Sequence, residues 1–180
     1  AEGGMITTNN SKLANFARSV RSHGIDKNLL FDKLGDNLRM TELNAILGIS
    51  QLNSLDSFIS KRNYIAKRYT HGLKDLKNLK IIEIPASITH SYYKYPVIVD
   101  GDFNALDFID QIHEKYGISL GTLYYPPIHL QPYYKNQGYS KGMLPNAEES
   151  LRRQICLPMF FELTDEQIDF VIESLRKELG

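Results

Sequence analysis

Between Thr41 and Gly72 the chain reads as helix with hardly a break, and no other segment constrains the fold as strongly. Apolar side chains recur at Leu43, Ile46, Leu47, Ile49, Leu52, Leu55, Phe58, Ile59, Ile65, Ala66 and Tyr69, in the three- and four-residue steps of a helix face. Ala45, Gly48 and Ser50 keep the first part thin, as expected where another backbone packs closely. One long helix, or two with a bend near residues 53–56, satisfies the pattern equally well, and Gly72 reads as the C-terminal stop. The stripe holds more apolar positions than one small domain needs, so an exposed face or a covering partner is expected.

The flanks are shorter pieces. Residues 5–8 are rich in β-branched side chains and follow two glycines, which predicts a strand leaving a tight turn. Asn10 or Ser11 then caps a helix through Leu13, Phe16, Ala17 and Val20, ended by Gly24. Residues 25–37 show no sustained period and read as a loop. After Gly72, strands are expected at residues 80–84 and 92–99, with Pro96 marking a bulge or an edge. A helix over 103–116 stops at Gly117, and a strand returns over 118–123. Short helices at 133–137 and 147–154, a buried strand at 155–157 and a terminal helix over 164–179 complete the chain. Thr164 and Gln167 form the capping box of that last helix. Strands and helices alternate, giving an α/β class with an α+β C-terminal part.

Chemistry concentrates at Gly35-Asp36-Asn37-Leu38-Arg39-Met40-Thr41. A glycine turn leads to two side-chain donors and then to a helix opening, where unpaired N–H groups and the positive dipole end favour an anion. Locally the same residues also fit a turn and a cap. Arg39 either faces an anion or fixes the loop by pairing with Asp36 or Glu42. His129 stands between Pro127 and Pro132, flanked by Tyr125 and Tyr133, whose rings suit a sugar or a base. The lone Cys156 lies in an apolar run and reads as a small buried hydrophobe. Neither a disulfide nor a metal site with Cys/His spacing is expected.

Twenty-one basic residues balance 21 acidic ones in the 180-residue chain. That neutrality argues against a nucleic-acid surface. No apolar run is long enough to predict a membrane span, and a cytoplasmic setting is expected.

Five motifs in register carry a resemblance. They are Ala1-Glu2-Gly3-Gly4-Met5-Ile6-Thr7-Thr8-Asn9, Tyr124-Tyr125-Pro126-Pro127-Ile128-His129-Leu130-Gln131-Pro132, Leu144-Pro145-Asn146-Ala147-Glu148, Cys156-Leu157-Pro158-Met159 and Leu163-Thr164-Asp165-Glu166-Gln167. Together with the Asn37 segment they resemble the C-terminal half of the DegT/DnrJ/EryC1/StrS family of pyridoxal-phosphate-dependent sugar aminotransferases. The resemblance implies the C-terminal portion of a fold-type-I aminotransferase lacking most of its large domain. Residues 1–56 would be the tail of the large cofactor-binding domain and residues 57–180 the small α+β domain. It implies a homodimer that aminates a keto group of a nucleotide-linked sugar, with glutamate as donor, for polysaccharide, glycan or antibiotic sugars. Asn37 would reach the cofactor phosphate of the neighbouring subunit, Arg39 would stand beside it, and His129, Tyr125 and Tyr133 would line the substrate. Two departures are Ala1, usually glycine, and Leu38, often aromatic. The family's catalytic lysine would fall just before Ala1, so no catalytic residue is expected within the chain, and the chain alone would be inactive. The rival reading is a non-enzymatic module that assembles with a full-length aminotransferase.

Overall fold

The computed structural model describes residues 2–180, which group into two compact units, one ending at Leu55 and the other spanning Asp56–Gly180. In the first, helix α1 (Ser11–Arg21) is capped by Asn10, whose side chain accepts the Leu13 N–H at 3.1 Å. The strand expected at residues 5–8 does not form, and Met5 is 85% exposed. Its β-branched residues find no second strand to hydrogen-bond, and strand propensity without a ladder stabilises nothing.

Residues 25–37 form a loop, as the missing period predicts, but an ordered one. It folds back on the end of α1 through Asp36 N–H to Val20 O at 2.9 Å, His23 N–H to Asp36 O at 3.0 Å and Leu38 N–H to Arg21 O at 2.9 Å. Gly24 and Gly35 make this clasp possible. A Cβ on Gly24, where φ is +77°, would lie 1.9 Å from the Lys33 carbonyl oxygen, and one on Gly35 would lie 2.1 Å from the Gly24 nitrogen. Both clashes are with backbone, so neither position tolerates a side chain without opening the loop.

Helix α2 is one unbroken run, Glu42–Leu73, of 32 residues. The alternative of two separate helices broken near residues 53–56 is not what forms. Thr41 Oγ1 accepts the Asn44 N–H at 3.2 Å and opens the helix. Gly72 is not its stop. It lies inside the last turn, where a Cβ would come within 2.8 Å of the Ile172 side chain, so glycine serves close helix packing there.

The second unit contains a three-stranded antiparallel sheet in the order β1-β2-β3, from β1 (Leu79–Ile81), β2 (Tyr95–Val99) and β3 (Gln154–Leu157). Leu79 pairs with Val99, and Val97 pairs with Ile155. Pro96 therefore sits in the central strand, neither on an edge nor at a bulge. The geometry accommodates it. Its partner Cys156 exchanges both backbone bonds with Gly121, at 2.7 and 3.0 Å, so the Pro96–Cys156 pair is of the non-hydrogen-bonded kind. The proline nitrogen then faces the β1 side, where pairing has already ended at Ile81–Val97.

The strand expected over 118–123 shrinks to that Gly121 bridge. Ile118 and Leu120 are buried, but the Leu123 N–H goes to the Gln154 side chain at 2.9 Å instead of continuing a ladder. Helix α3 (Ala105–Tyr116) ends at Gly117 with φ +67°. Short helices α4 (Pro132–Lys135) and α5 (Pro145–Arg152) precede β3, and α6 (Asp165–Leu179) carries both halves of the Thr164/Gln167 capping box. The core is built from Ile65, Tyr69 and Leu73 of α2, Val97, Ile112, Ile155, and Ile168 and Leu175 of α6. Within it the Tyr95 hydroxyl meets Thr70 Oγ1 at 2.7 Å, and burial pushes its pKa up to about 12.

Candidate functional site

The glycine clasp holds Asn37 at a fixed point of backbone. Residue 37 bridges to Ser22 in antiparallel fashion, and its own N–H donates to Asp36 Oδ1 at 2.7 Å. Arg39 Nε donates to Asn37 Oδ1 at 2.9 Å. Because that nitrogen can only donate, the carboxamide oxygen must face it, and Nδ2 with its two N–H groups is turned away. Among the described residues Arg39 makes no ion pair, with Asp36 or with Glu42, so the pairing alternative read from the sequence is not the one adopted. Both side chains are exposed.

The result is a small donor array. Asn37 Nδ2 and the terminal guanidinium nitrogens of Arg39 are left for a ligand, and none of these atoms accepts. Such a set suits a multiply charged oxyanion such as a phosphate. The Glu2-Gly3 segment is tied in nearby, since Asn44 Nδ2 donates to Glu2 O at 3.4 Å and the Met40 methyl occupies the place of a Gly3 Cβ. Nothing in the sequence marks Asn44. An asparagine in the first turn of a helix carries no signal of a partner so far back in the chain.

In the second unit His129, Tyr125 and Tyr133 share one proline-bounded segment. His129 lies in a 3-10 turn, Ile128–Leu130, and is only 6% exposed. Its Nε2 is 3.0 Å from Glu148 Oε1. The same oxygen accepts the Gly142 N–H at 2.7 Å and the Leu144 N–H at 3.4 Å. The His129 bond first, and those backbone donors after it, hold the Glu148 carboxyl below the usual carboxylate range. Tyr125 is half-buried, while Tyr133 is 68% exposed with its ring edge-on to Tyr134 at 5.3 Å. Glu148 closes the Leu144–Glu148 motif, and its residue type alone points to no partner. Its position in the first turn of α5 is the one sequence cue for a carboxylate there.

Cys156 is buried with Gln154 Nε2 3.0 Å from its sulfur, and burial pushes its thiol pKa up. No group of His, Cys, Asp and Glu among the described residues is arranged to hold a metal. No helix among them is long and apolar enough to cross a membrane.

This architecture is that of the C-terminal portion of a fold-type-I aminotransferase. DesV of S. venezuelae, solved in complex with a ketimine intermediate, superposes with a TM-score of 0.85 at 26% identity, over 96% of this chain and 46% of that one. An uncharacterized protein of Methanocaldococcus jannaschii is 31% identical over 193 residues, covering 98% of this chain and 49% of its own length. A dTDP-3-amino-3,4,6-trideoxy-alpha-D-glucose transaminase of Micromonospora megalomicea is 28% identical over 177 residues, covering 98% of this chain and 47% of its own. The DegT/DnrJ/EryC1/StrS aminotransferase family model matches residues 1–176, and the chain belongs to that family. It spans about half the length of the curated relatives it matches.

Proposed function

We propose that the chain acts within a pyridoxal-phosphate-dependent aminotransferase that converts a keto group of a nucleotide-linked sugar to an amine, with glutamate as amino donor. The enzyme is a cytoplasmic homodimer. Membership of the family supports this reading, as do relatives named as transaminases of dTDP-linked sugars. Those named activities favour an enzyme over the non-enzymatic module.

The observation that carries the proposal is the bond from Arg39 Nε to Asn37 Oδ1 at 2.9 Å, which turns the amide N–H groups away from Arg39 on the glycine clasp. Asn37 and Arg39 would hold the cofactor phosphate, Asn37 through a directed hydrogen bond and Arg39 through charge. When bound, pyridoxal phosphate supplies the electron sink for amino transfer. The residues of this chain fix where its phosphate lies. Tyr125, Tyr133 and His129 would meet the sugar nucleotide, the tyrosines by ring contact and His129 by a hydrogen bond.

We place Asn37 in the site of the neighbouring subunit. Mixing Asn37→Ala subunits with subunits lacking the family's catalytic lysine tests this, because one site of each mixed dimer then carries both lesions and the other carries none. Activity per mixed dimer is expected to recover to about half of wild type. Mixed dimers that stay dead, while both parents fold and dimerise, would show that Asn37 acts within its own subunit.

A further inference from the structure

The oxygen Glu148 Oε1 lies opposite three nitrogens: the backbone N–H of Gly142 at 2.7 Å, that of Leu144 at 3.4 Å, and His129 Nε2 at 3.0 Å. An ionised carboxylate only accepts, so Nε2 must carry the hydrogen. In a neutral imidazole the lone pair is then on Nδ1. Nδ1 has no partner within the described residues. Nδ1 is not among the fully enclosed side-chain atoms that lack a hydrogen bond, although the ring as a whole is buried. Pro127 and Pro132 stiffen the backbone on either side of the ring.

We propose that Glu148 is a positioning residue. It fixes His129 as the Nε2–H tautomer, so that Nδ1 is offered as a hydrogen-bond acceptor to a hydroxyl group of the sugar substrate. The same oxygen fastens residues 142–144, so one carboxylate sets both the histidine and the loop beside α5. The inference rests on His129 being a substrate contact, as proposed above.

Nitrogen NMR of the holoenzyme with labelled histidine, above the titration range of the ring, reads the tautomer directly. The expected result is a protonated Nε2 and a bare Nδ1 for His129. A predominant Nδ1–H form overturns the inference without any substitution. In kinetics, Glu148→Gln presents a neutral amide whose NH2 can face Nε2 and release the tautomer. It is expected to raise the sugar KM roughly tenfold while kcat changes much less.

His129→Ala separates the two ideas. If it leaves the sugar KM unchanged, His129 is not a substrate contact and both readings fail. If it raises KM while Glu148→Gln does not, the substrate contact stands and the positioning role falls. The double variant is expected to be no worse than His129→Ala alone, because Glu148 acts through the ring. Additive losses would overturn that. If Glu148→Gln does not fold, the tautomer measurement on the unsubstituted protein decides.

Discussion

Helix α2 shows the same kind of sequence meeting two different fates. Up to Leu55 its apolar residues stand in the open, with Leu43, Ile46, Ile49 and Leu52 all exposed. From Ile65 onward Ile65, Ala66, Tyr69 and Leu73 belong to the core. The contrast extends beyond the helix. In residues 2–55 only Ser19 and Gly24 are buried, and order comes from backbone bonds around two glycines. In Asp56–Gly180 order comes from packed side chains. Apolar periodicity thus specifies a helix but not what covers it, and a loop with no apolar pattern can be ordered by backbone hydrogen bonds.

The largest effect that tests this contrast is a pair of truncations in the chain itself. Leu175→Ala, at a fully buried position, is expected to cost about 2–5 kcal/mol in chemical denaturation. Leu52→Ala should change stability by less than about 0.5 kcal/mol. Similar costs for the two would mean that the first stretch has a covered face.

Next come the glycines. A Cβ on Gly35 meets backbone at 2.1 Å, whereas one on Gly72 meets the side chain of Ile172 at 2.8 Å. Gly72→Ala is therefore expected to cost about 1–3 kcal/mol of global stability as Ile172 shifts. Gly35→Ala should open the clasp instead. The amides of Asp36 and Leu38 should then exchange at least about tenfold faster, with β2 amides unchanged. Equal acceleration in β2 would show that the clasp is not an independent source of order.

The smallest effect is electrostatic. Arg176 pairs with Asp75 through both carboxylate oxygens, at 2.6 and 2.7 Å, and also donates to Gly72 O at 2.7 Å. The Arg176 bond holds the Asp75 pKa down at about 2, from an ordinary 3.8. A depressed carboxylate stabilises the fold above its unfolded pKa, and that contribution fades as pH falls through the folded value. The Tm gap between wild type and Arg176→Gln should therefore be constant above pH 5 and narrow toward about pH 2. A gap that does not depend on pH would leave packing, not charge, as the role of Arg176.

Legibility in the sequence followed the range of the interactions. The Thr164/Gln167 capping box and the Gly117 stop involve neighbours within one helical turn and are legible in the sequence, which narrows the first helix's cap to Asn10 or Ser11, and the structure selects Asn10. The strands at 5–8 and 118–123 needed a partner that propensity does not encode. Pro96 looked like an edge signal because nothing local says that Cys156 turns its backbone to Gly121. For the site, the donor pair Asn37 and Arg39 stood out as residue types. Their mutual bond, and the paired glycines that set the loop, are contacts between segments and emerge only in three dimensions.

The central claim is that Asn37 and Arg39 form a seat for the cofactor phosphate, and Asn37→Asp in the holoenzyme tests it with the least disturbance. The change keeps the shape and replaces an N–H donor by an anion. It should weaken pyridoxal phosphate by more than about tenfold, since a hydrogen bond to a charged group contributes roughly 1.5–3 kcal/mol. Pyridoxal, which lacks the phosphate, should bind wild type and variant alike. Equal weakening of both ligands, or of neither, would contradict the assignment.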